Sequence, residues 1–358
     1  MNRKVLIRRI RAVHRELNKK KISFLLVTKP ANVTYITGFL GDDSWAAIAK
    51  GRVYLLTDSR YTEQAQKECP SCKIIDRAGQ MVDAVSELVK KLKTIRTVVV
   101  EDSVSMADYE QLKKTVNARF RTVSGTIENA RSIKDDSEIA TIKSAAVIST
   151  KALAQTLPYI KPGITESELA GMLDFQIRKL GARNSFETIV AFGPNGSRPH
   201  HQPGKRKLKK KDAILIDFGA KYNGYCSDIT RCFVIGGMTP LYKKVYEVVE
   251  QAQAAAIKTI KAGVKLTQVD AAAREVIDKA GLPVYGHGSG HGFGLQIHED
   301  PFLKPDGKGR LKAGQVLTIE PGIYMPGKLG IRIEDDILVT ETDYKILTHK
   351  CPHSPLLS

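Results

Sequence analysis

Asp217 closes the apolar run Ala213-Ile-Leu-Ile216, and Asp228 stands just ahead of Ile229-Thr-Arg231 in the same stretch. Asn223-Gly224 between them is the signature of a two-residue hairpin turn, whose central positions need positive φ. A turn there pairs Tyr222 with Tyr225 and sets Asp217 opposite Thr230. Asp228 then lies diagonal to Asp217 on one face. Two carboxylates that close, in strands this apolar, repel each other unless a cation lies between them. The plainer alternative is an aspartate facing solvent, and the Ile-Leu-Ile run before Asp217 argues against it.

Two glutamates repeat the pattern. Glu320 ends Val316-Leu-Thr-Ile319 and is stopped by Pro321-Gly322, and Glu334 follows Gly330-Ile-Arg-Ile333. A glutamate inside an apolar strand is costly unless it is paired or coordinated. Between the acidic pairs lies His287-Gly-Ser-Gly-His291-Gly-Phe-Gly294, then His298-Glu-Asp-Pro301. A lone histidine is more often a core or surface residue than a ligand. Three of the chain's eight within twelve residues, in a loop held open by glycine, change that balance. The stretch is too glycine-rich for a zinc helix, and His298-Glu299 does not continue as H-E-x-x-H. Asp217, Asp228, Glu320 and Glu334 with one histidine make an oxygen-rich donor set suited to Mn²⁺, Co²⁺ or Fe²⁺, with Zn²⁺ also compatible. Asp217-Phe-Gly219 copies a kinase metal motif, but no catalytic-loop signature or glycine-rich nucleotide loop accompanies it.

Elements to hold these residues can be read from periodicity. Phe24-Leu-Leu-Val27, Val53-Tyr-Leu-Leu56 and Val98-Val-Val100 predict buried strands, and Met81 to Leu92 and Met106 to Val116 predict helices. No phosphate loop follows a strand, so this first part is an α/β domain without a nucleotide site. Ser124-Gly125-Thr126 marks a boundary, giving domains 1–126 and 127–358. A long helix runs from about Ile139 to Leu157; Thr165-Glu-Ser-Glu168 is a capping box for a second, with Gly181 to end it. Thr239-Pro240 opens a third helix, and a fourth runs from near Thr267 to Gly281.

The second domain carries an internal repeat. Ile160-Lys-Pro-Gly163 aligns with Ile260-Lys-Ala-Gly263, and Gly181 with Gly281. Leu208-Lys209 and Ile216-Asp217-Phe-Gly219 align likewise with Leu311-Lys312 and Ile319-Glu320-Pro-Gly322. Each half is two helices followed by strands with a carboxylate at the same place. A pseudo-twofold domain built this way brings Asp217 and Glu320 face to face.

Composition narrows the class. The 358 residues carry 56 Lys and Arg against 38 Asp and Glu, a net charge of +18. Nine of those bases fall in the first 21 residues, where Val5, Leu6, Ile10, Val13 and Leu17 recur at helical spacing. These bases are the wet face of an amphipathic helix, and the second cluster, Lys205 to Lys211, is a solvated turn. Without zinc-finger spacing or an aromatic-rich basic motif, nucleic acid is not the expected partner. Five scattered cysteines are no disulfide framework, and Cys69-Pro-Ser-Cys72 is expected as a surface loop with spare thiols. No apolar run is long enough to span a membrane and no signal peptide opens the chain, so a soluble cytoplasmic protein is expected.

The motifs taken together resemble the creatinase/aminopeptidase P/prolidase superfamily, in its Xaa-Pro peptidase branch. They are Ile-Asp217-Phe-Gly with Ser-Asp228-Ile-Thr-Arg, His287-Gly-x-Gly-His291 with His298-Glu, Ile-Glu320-Pro-Gly-Ile-Tyr324, and Arg332-Ile-Glu334-Asp. The resemblance implies a creatinase-like α/β N-terminal domain and an α+β pita-bread catalytic domain. It implies two divalent metal ions, Mn²⁺ foremost, with Asp217 held through both oxygens, Asp228 and Glu334 bridging, and His291 and Glu320 completing the second ion. It further implies hydrolysis of the bond before proline, by a water bridging the metals. Glu320 would carry the proton, His298 would stabilise the oxygen that gains charge, and His200 would contact the group around the proline. His287 is a further functional histidine in relatives, and Arg332 would steady the bridging carboxylates. Substrates would be proline-containing peptides or dipeptides, and the chain would form a homodimer with Tyr35, Trp45 and Arg60 near a neighbour's site. Phe192 and Arg198 depart from the smaller residues of many relatives, on the loop leading to His200. Arg198 would either meet a peptide carboxylate or point into solvent. The extra N-terminal domain disfavours a methionine aminopeptidase. The full ligand set disfavours a creatinase and a non-catalytic binding protein, leaving aminopeptidase or dipeptidase.

Overall fold

The computed structural model describes residues 3–357. They divide after Arg131 into two compact units. This lies beyond the turn at Gly125, because the Arg131 side chain is buried and donates to Asn32 Oδ1 (2.7 Å).

The first unit alternates helix and strand. In chain order these are α1 (Arg3–Lys19), β1 (Phe24–Val27), α2 (Pro30–Thr37), β2 (Trp45–Ala49), β3 (Arg52–Thr57), α3 (Thr62–Glu68), β4 (Lys73–Asp76), α4 (Met81–Leu92), β5 (Thr97–Glu101), α5 (Met106–Thr115) and β6 (Arg119–Val123), with a short α6 (Glu128–Ser132) at the boundary. The strands form one mixed sheet in the order β4-β3-β2-β1-β5-β6. Phe24, Leu26, Val98 and Val100 are buried against Val85, Leu88 and Val89 of α4. Helix α1 buries Leu6, Val13 and Leu17 and leaves Arg8, Arg11, Arg15 and Lys19 in water, as its 3.6-residue period predicts. Arg9 is the exception, buried with its guanidinium over the Tyr35 ring at 4.9 Å. Trp45 packs half-buried on the core, and Arg60 pairs with Asp58 and Asp43. The expected surface thiol loop is corrected at one of its ends: Cys69 is fully buried. It caps α3 through its N–H to the Ala65 carbonyl (2.8 Å), which turns its side chain inward.

The second unit is two copies of one plan. The first copy holds α7 (Asp136–Thr156), α8 (Glu166–Lys179), β7 (Arg183–Asn184), β8 (Ile189–Phe192), β9 (Ala213–Phe218), β10 (Ala220–Tyr222), β11 (Tyr225–Cys226) and β12 (Ile229–Ile235). The second holds α9 (Pro240–Lys258), α10 (Leu266–Lys279), β13 (Gly290–Gly292), β14 (Glu299–Leu303), β15 (Val316–Ile319), β16 (Gly322–Met325), β17 (Leu329–Arg332), β18 (Asp335–Val339), β19 (Tyr344–Ile346) and β20 (Leu356–Leu357). The two main sheets run β20-β12-β9-β8 and β14-β13-β15-β18-β19. The repeat read from sequence extends to individual hydrogen bonds. Gly163 N–H donates to Leu208 O (2.9 Å) as Gly263 N–H does to Leu311 O (2.8 Å). Gly181 and Gly281 end their helices at φ 83° and 66°, the left-handed conformation that glycine adopts freely. The capping boxes of α7 and α8 are both formed.

Sheet β8-β9-β12 is buried on both faces. Ile214, Ile216 and Phe218 face the α7–α8 cluster, while Ala213 and Leu215 face the core shared with α9 and α10. Asp217 continues the second set by strand alternation, so its side chain enters the layer between the two halves. The hairpin register matches the reading exactly where it matters for geometry: Tyr222 pairs with Tyr225 and Asp217 with Thr230.

The ladder is interrupted at Gly219, opposite Ser227 and Asp228. A Cβ there would stand 2.0 Å from Ser227 O and 2.2 Å from Ser185 Oγ. Gly219→Ala is therefore expected to destabilise the unit by about 3 kcal/mol, the upper range for overpacking. Gly171→Ala, in helix α8 with nothing within 4 Å of the new Cβ, is expected to stabilise it by about 0.8 kcal/mol. Urea unfolding of the two variants beside the parent checks both signs.

Candidate active site

Asp217 arrives from β9, Asp228 from the break before β12, His291 from β13, Glu320 from the end of β15, and Glu334 from the link between β17 and β18. These five line one cleft of about 480 Å³, together with His200, His287, His298 and Arg332. All the site residues picked from sequence thus fall in one place. Donor atoms of Asp228, His291 and Glu334 lie within 4.8 Å of one another. His291 Nε2 stands 3.6 Å from Asp228 Oδ2 and 3.4 Å from Glu320 Oε1. Its Nδ1–H donates to the Gly292 carbonyl (3.1 Å), which leaves the Nε2 lone pair facing the carboxylates.

The electrostatics of this group are strained. Burial first, then Glu334, Asp217 and Glu320, push the Asp228 carboxyl well above its usual range. Burial, Glu320 and Asp217 do the same to Glu334. Glu320 is also raised, chiefly by burial, with His287 and Arg332 opposing. Burial in turn lowers His291, favouring the neutral ring that a metal requires. Asp217 Oδ2 accepts from Arg332 Nη2 (2.6 Å), but its buried Oδ1 has no hydrogen-bond partner. A buried acceptor without a partner is costly. One orphaned oxygen, three carboxyls raised by burial and by one another's charge, and a neutral imidazole nitrogen are what divalent cations would satisfy. The residues fit the group.

The supporting contacts are specific. Arg332 was expected against the bridging pair Asp228 and Glu334. The structure sets it on Asp217 instead, and Thr230 links it to Glu334: Arg332 Nε donates to Thr230 Oγ1 (3.1 Å), which donates to Glu334 Oε2 (2.6 Å). Strand geometry is the cause, since Thr230 is the cross-strand partner of Asp217. Tyr324 was quoted in a motif without a role. Its hydroxyl accepts from Arg332 Nη1 (2.8 Å) and donates to His287 Nε2 (2.9 Å). His287 Nδ1–H donates to Gly288 O (2.7 Å), so both nitrogens of that ring are engaged within the protein. Asp336 was missed as well; its carboxylate accepts from the Asp228 N–H at 3.3 Å. The available signal was an acidic residue running directly into the apolar Ile337-Leu-Val339, and the structure buries it fully.

His200 and His298 are the exposed histidines of the cleft. The His298 ring meets His291 edge-on at 4.4 Å, and burial with His291 and His200 nearby lowers its pKa. Phe192, one of the two departures from many relatives on the loop leading to His200, is fully buried in the α7–α8 core. Strand alternation turns its side chain away from the site. Arg198 is exposed and donates to Asn195 Oδ1 (2.5 Å), the solvent orientation of the two considered.

A cation-accepting set of carboxylates between two repeated αβ halves defines the class of protein. The chain belongs to metallopeptidase family M24, whose pattern it matches over residues 140–341, preceded by a creatinase/prolidase N-terminal domain over residues 9–133. It is 37% identical to the uncharacterized peptidase YqhT of Bacillus subtilis, over 92% of this chain and 94% of that one. Among solved structures it is similar to the Xaa-Pro dipeptidase from Bacillus anthracis, with 37% identity, TM-score 0.94, and 98% and 100% of the two chains covered. It is also similar to the X-Pro aminopeptidase from Thermotoga maritima, with 36% identity, TM-score 0.88, and 96% and 100% covered. The fold is accordingly the creatinase-like domain followed by the pita-bread catalytic domain, and the family's chemistry implies divalent metal ions.

The raised carboxyls have a consequence for metal-free protein. Unfolded, these groups titrate near 3.8 (Asp) and 4.5 (Glu). Folded, Asp228 and Glu334 keep their protons to higher pH. Their contribution to stability is full below the unfolded values and is lost as pH rises through the folded ones. His287, His291 and His298, lowered from 6.5, act in the opposite sense below that pH. Asp228→Asn removes one carboxyl and keeps the histidines. Thermal midpoints measured in chelator across pH 4–8 are expected to fall more with rising pH in the parent than in Asp228→Asn.

Proposed function

We propose that this chain is a dinuclear metal-dependent exopeptidase that cleaves the Xaa-Pro bond at the N-terminus of peptides or in dipeptides. The observation that carries the reading is the convergence of Asp217, Asp228, His291, Glu320 and Glu334 on the floor of a cleft walled by the exposed His200 and His298. The names of the Bacillus anthracis and Thermotoga maritima structures support proline specificity. Mn²⁺ is the ion proposed, on the oxygen-rich donor set. A homodimer is proposed from the N-terminal domain, and the cytoplasm as location. Among the described residues no helix is long and apolar enough to cross a membrane.

Bound in the site, two divalent cations supply Lewis-acid activation of the attacking water and of the scissile carbonyl. The protein residues do the rest. Glu320, its carboxyl already raised by burial, accepts the proton of the water at a carboxylate oxygen. It then passes that proton to the prolyl nitrogen as the C–N bond breaks, since an unprotonated amide nitrogen leaves poorly. His298 donates a hydrogen bond to the carbonyl oxygen as it gains charge. His200, across the cleft, contacts the substrate around the proline ring. Arg332 and Thr230 hold Asp217 and Glu334 in register throughout.

Aminopeptidase and dipeptidase share all of this chemistry. Dipeptides need a cation for their carboxylate, and the exposed Lys304, its Nζ 3.4 Å from Asp306 Oδ1, lines the cleft for that role. The deciding assay incubates Mn²⁺-loaded protein with Ala-Pro and with Ala-Pro-Gly and follows release of alanine. Cleavage of both is the expected result, and Glu320→Gln is expected to lose at least about 10³-fold in kcat, within the range for general acid–base groups. Cleavage of Ala-Pro alone would select the dipeptidase reading. If the metal binds and neither peptide is cut, the proline specificity is wrong.

A further inference from the structure

We infer that Glu166 is a positioning residue for the active site: it fixes the loop that presents His200 to the cleft. This rests on the reading of the cleft as the substrate site, and it assigns a role to a residue that touches neither metal ligands nor substrate.

Glu166 opens helix α8 and is completely buried, a rare state for a carboxylate. Each of its oxygens takes two hydrogen bonds from the same loop. Oε1 accepts from Phe192 N–H (2.8 Å) and Asn195 Nδ2 (2.8 Å), at the loop's entry. Oε2 accepts from His201 Nε2 (2.8 Å) and Gly204 N–H (3.1 Å), at its exit. His200 stands between these two anchor points. Buried charge is tolerated only when its hydrogen bonds are satisfied this fully, and against burial the four donors hold the carboxyl below its usual range. The next residue extends the grip: Ser167 Oγ donates to Pro203 O (2.9 Å) and Ser167 N–H to Gly204 O (3.1 Å).

The opposite side of the loop is fixed as well. Gly196 and Gly330 of β17 approach so closely that a Cβ on Gly330 would stand 1.8 Å from Gly196 O. Arg332 Nη2 reaches Pro199 O at 3.5 Å. The segment from Phe192 to Gly204 is therefore held between α8 and the strand that leads to the metal-facing residues. Its Pro and Gly content gives it no regular ladder of its own beyond the short 3₁₀ turn Gly193–Ser197, so the carboxylate replaces secondary structure as the source of rigidity. A histidine exposed on such a loop can keep a fixed geometry toward substrate only if the loop is fixed.

Glu166→Gln tests this with little change of volume. The glutamine carbonyl can still accept from Phe192 and Asn195, but its NH₂ opposes the Gly204 N–H and keeps His201 only if that ring gives up its Nε2 proton, so the exit anchor weakens while the entry anchor persists. Hydrogen exchange followed by mass spectrometry reads the loop directly. Exchange is expected to quicken by at least about tenfold in peptides spanning 196–206 and to be unchanged in β9, β12 and β15. This arm needs no activity, so it judges the clamp even if the protein cleaves no Xaa-Pro bond, an outcome that would sink the substrate reading separately. With active protein, Glu166→Gln is expected to lower kcat/KM for Ala-Pro by about 10- to 100-fold with metal content retained. The loss should largely vanish when Glu166→Gln is added to His200→Ala, because the two changes act through one side chain. Unchanged loop exchange, acceleration throughout the unit, or additive losses in the double variant would each overturn the assignment.

Discussion

The repulsion among Asp217, Asp228, Glu320 and Glu334 is the constraint around which the catalytic unit is organised. Removing one carboxylate from water is costly, and several in a shared pocket raise one another's pKa further. The structure meets part of that cost internally: Arg332 on Asp217 and Thr230 on Glu334. The remainder is left as raised carboxyls and the orphaned Oδ1 of Asp217. That residue of unsatisfied charge is a function as much as a defect, because it is the affinity of the site for divalent cations.

Everything nearby follows from bringing these groups together on backbone that cannot move. Asp217 and Glu320 come from equivalent ends of the two repeated halves, so the site forms only where the halves close on each other. Strand alternation delivers Asp217 inward, and the ladder breaks at Gly219 to let Asp228 approach. Glycines at 290 and 292 give His291 backbone on both sides that no larger residue could match, since a Cβ at 290 would lie 1.9 Å from Thr318 O. The histidines sort by exposure. His287 and His291 are tied to backbone carbonyls and to Tyr324 or the carboxylates, whereas His200 and His298 remain accessible to a substrate.

Much of this was legible in the residues themselves. The hairpin register followed from Asn223-Gly224 and a two-residue period, both local signals, and the repeat followed from glycines that end helices at matching positions. Carboxylates in apolar strands and histidines among glycines carried the site, because both residue patterns are expensive without a purpose. What escaped was tertiary. No local rule reveals that Tyr324 reaches His287 across the cleft-lining loop, or that Arg332 prefers Asp217 to the pair it was matched with. That Phe192 lies in the core, away from the cleft, was not legible either, because loop position without strand alternation does not say which way a side chain points. Cys69 was misread for a related reason: a helix cap can turn a loop residue inward.

The central claim is that two divalent ions sit among these five side chains. Anomalous diffraction at the manganese edge, from crystals grown with Mn²⁺, tests it without reliance on any substrate. The account predicts two peaks, both within coordination distance of Asp228 and Glu334, with Asp217 on one side and His291 and Glu320 on the other. Peaks elsewhere, or none in the cleft at saturating Mn²⁺, would contradict it.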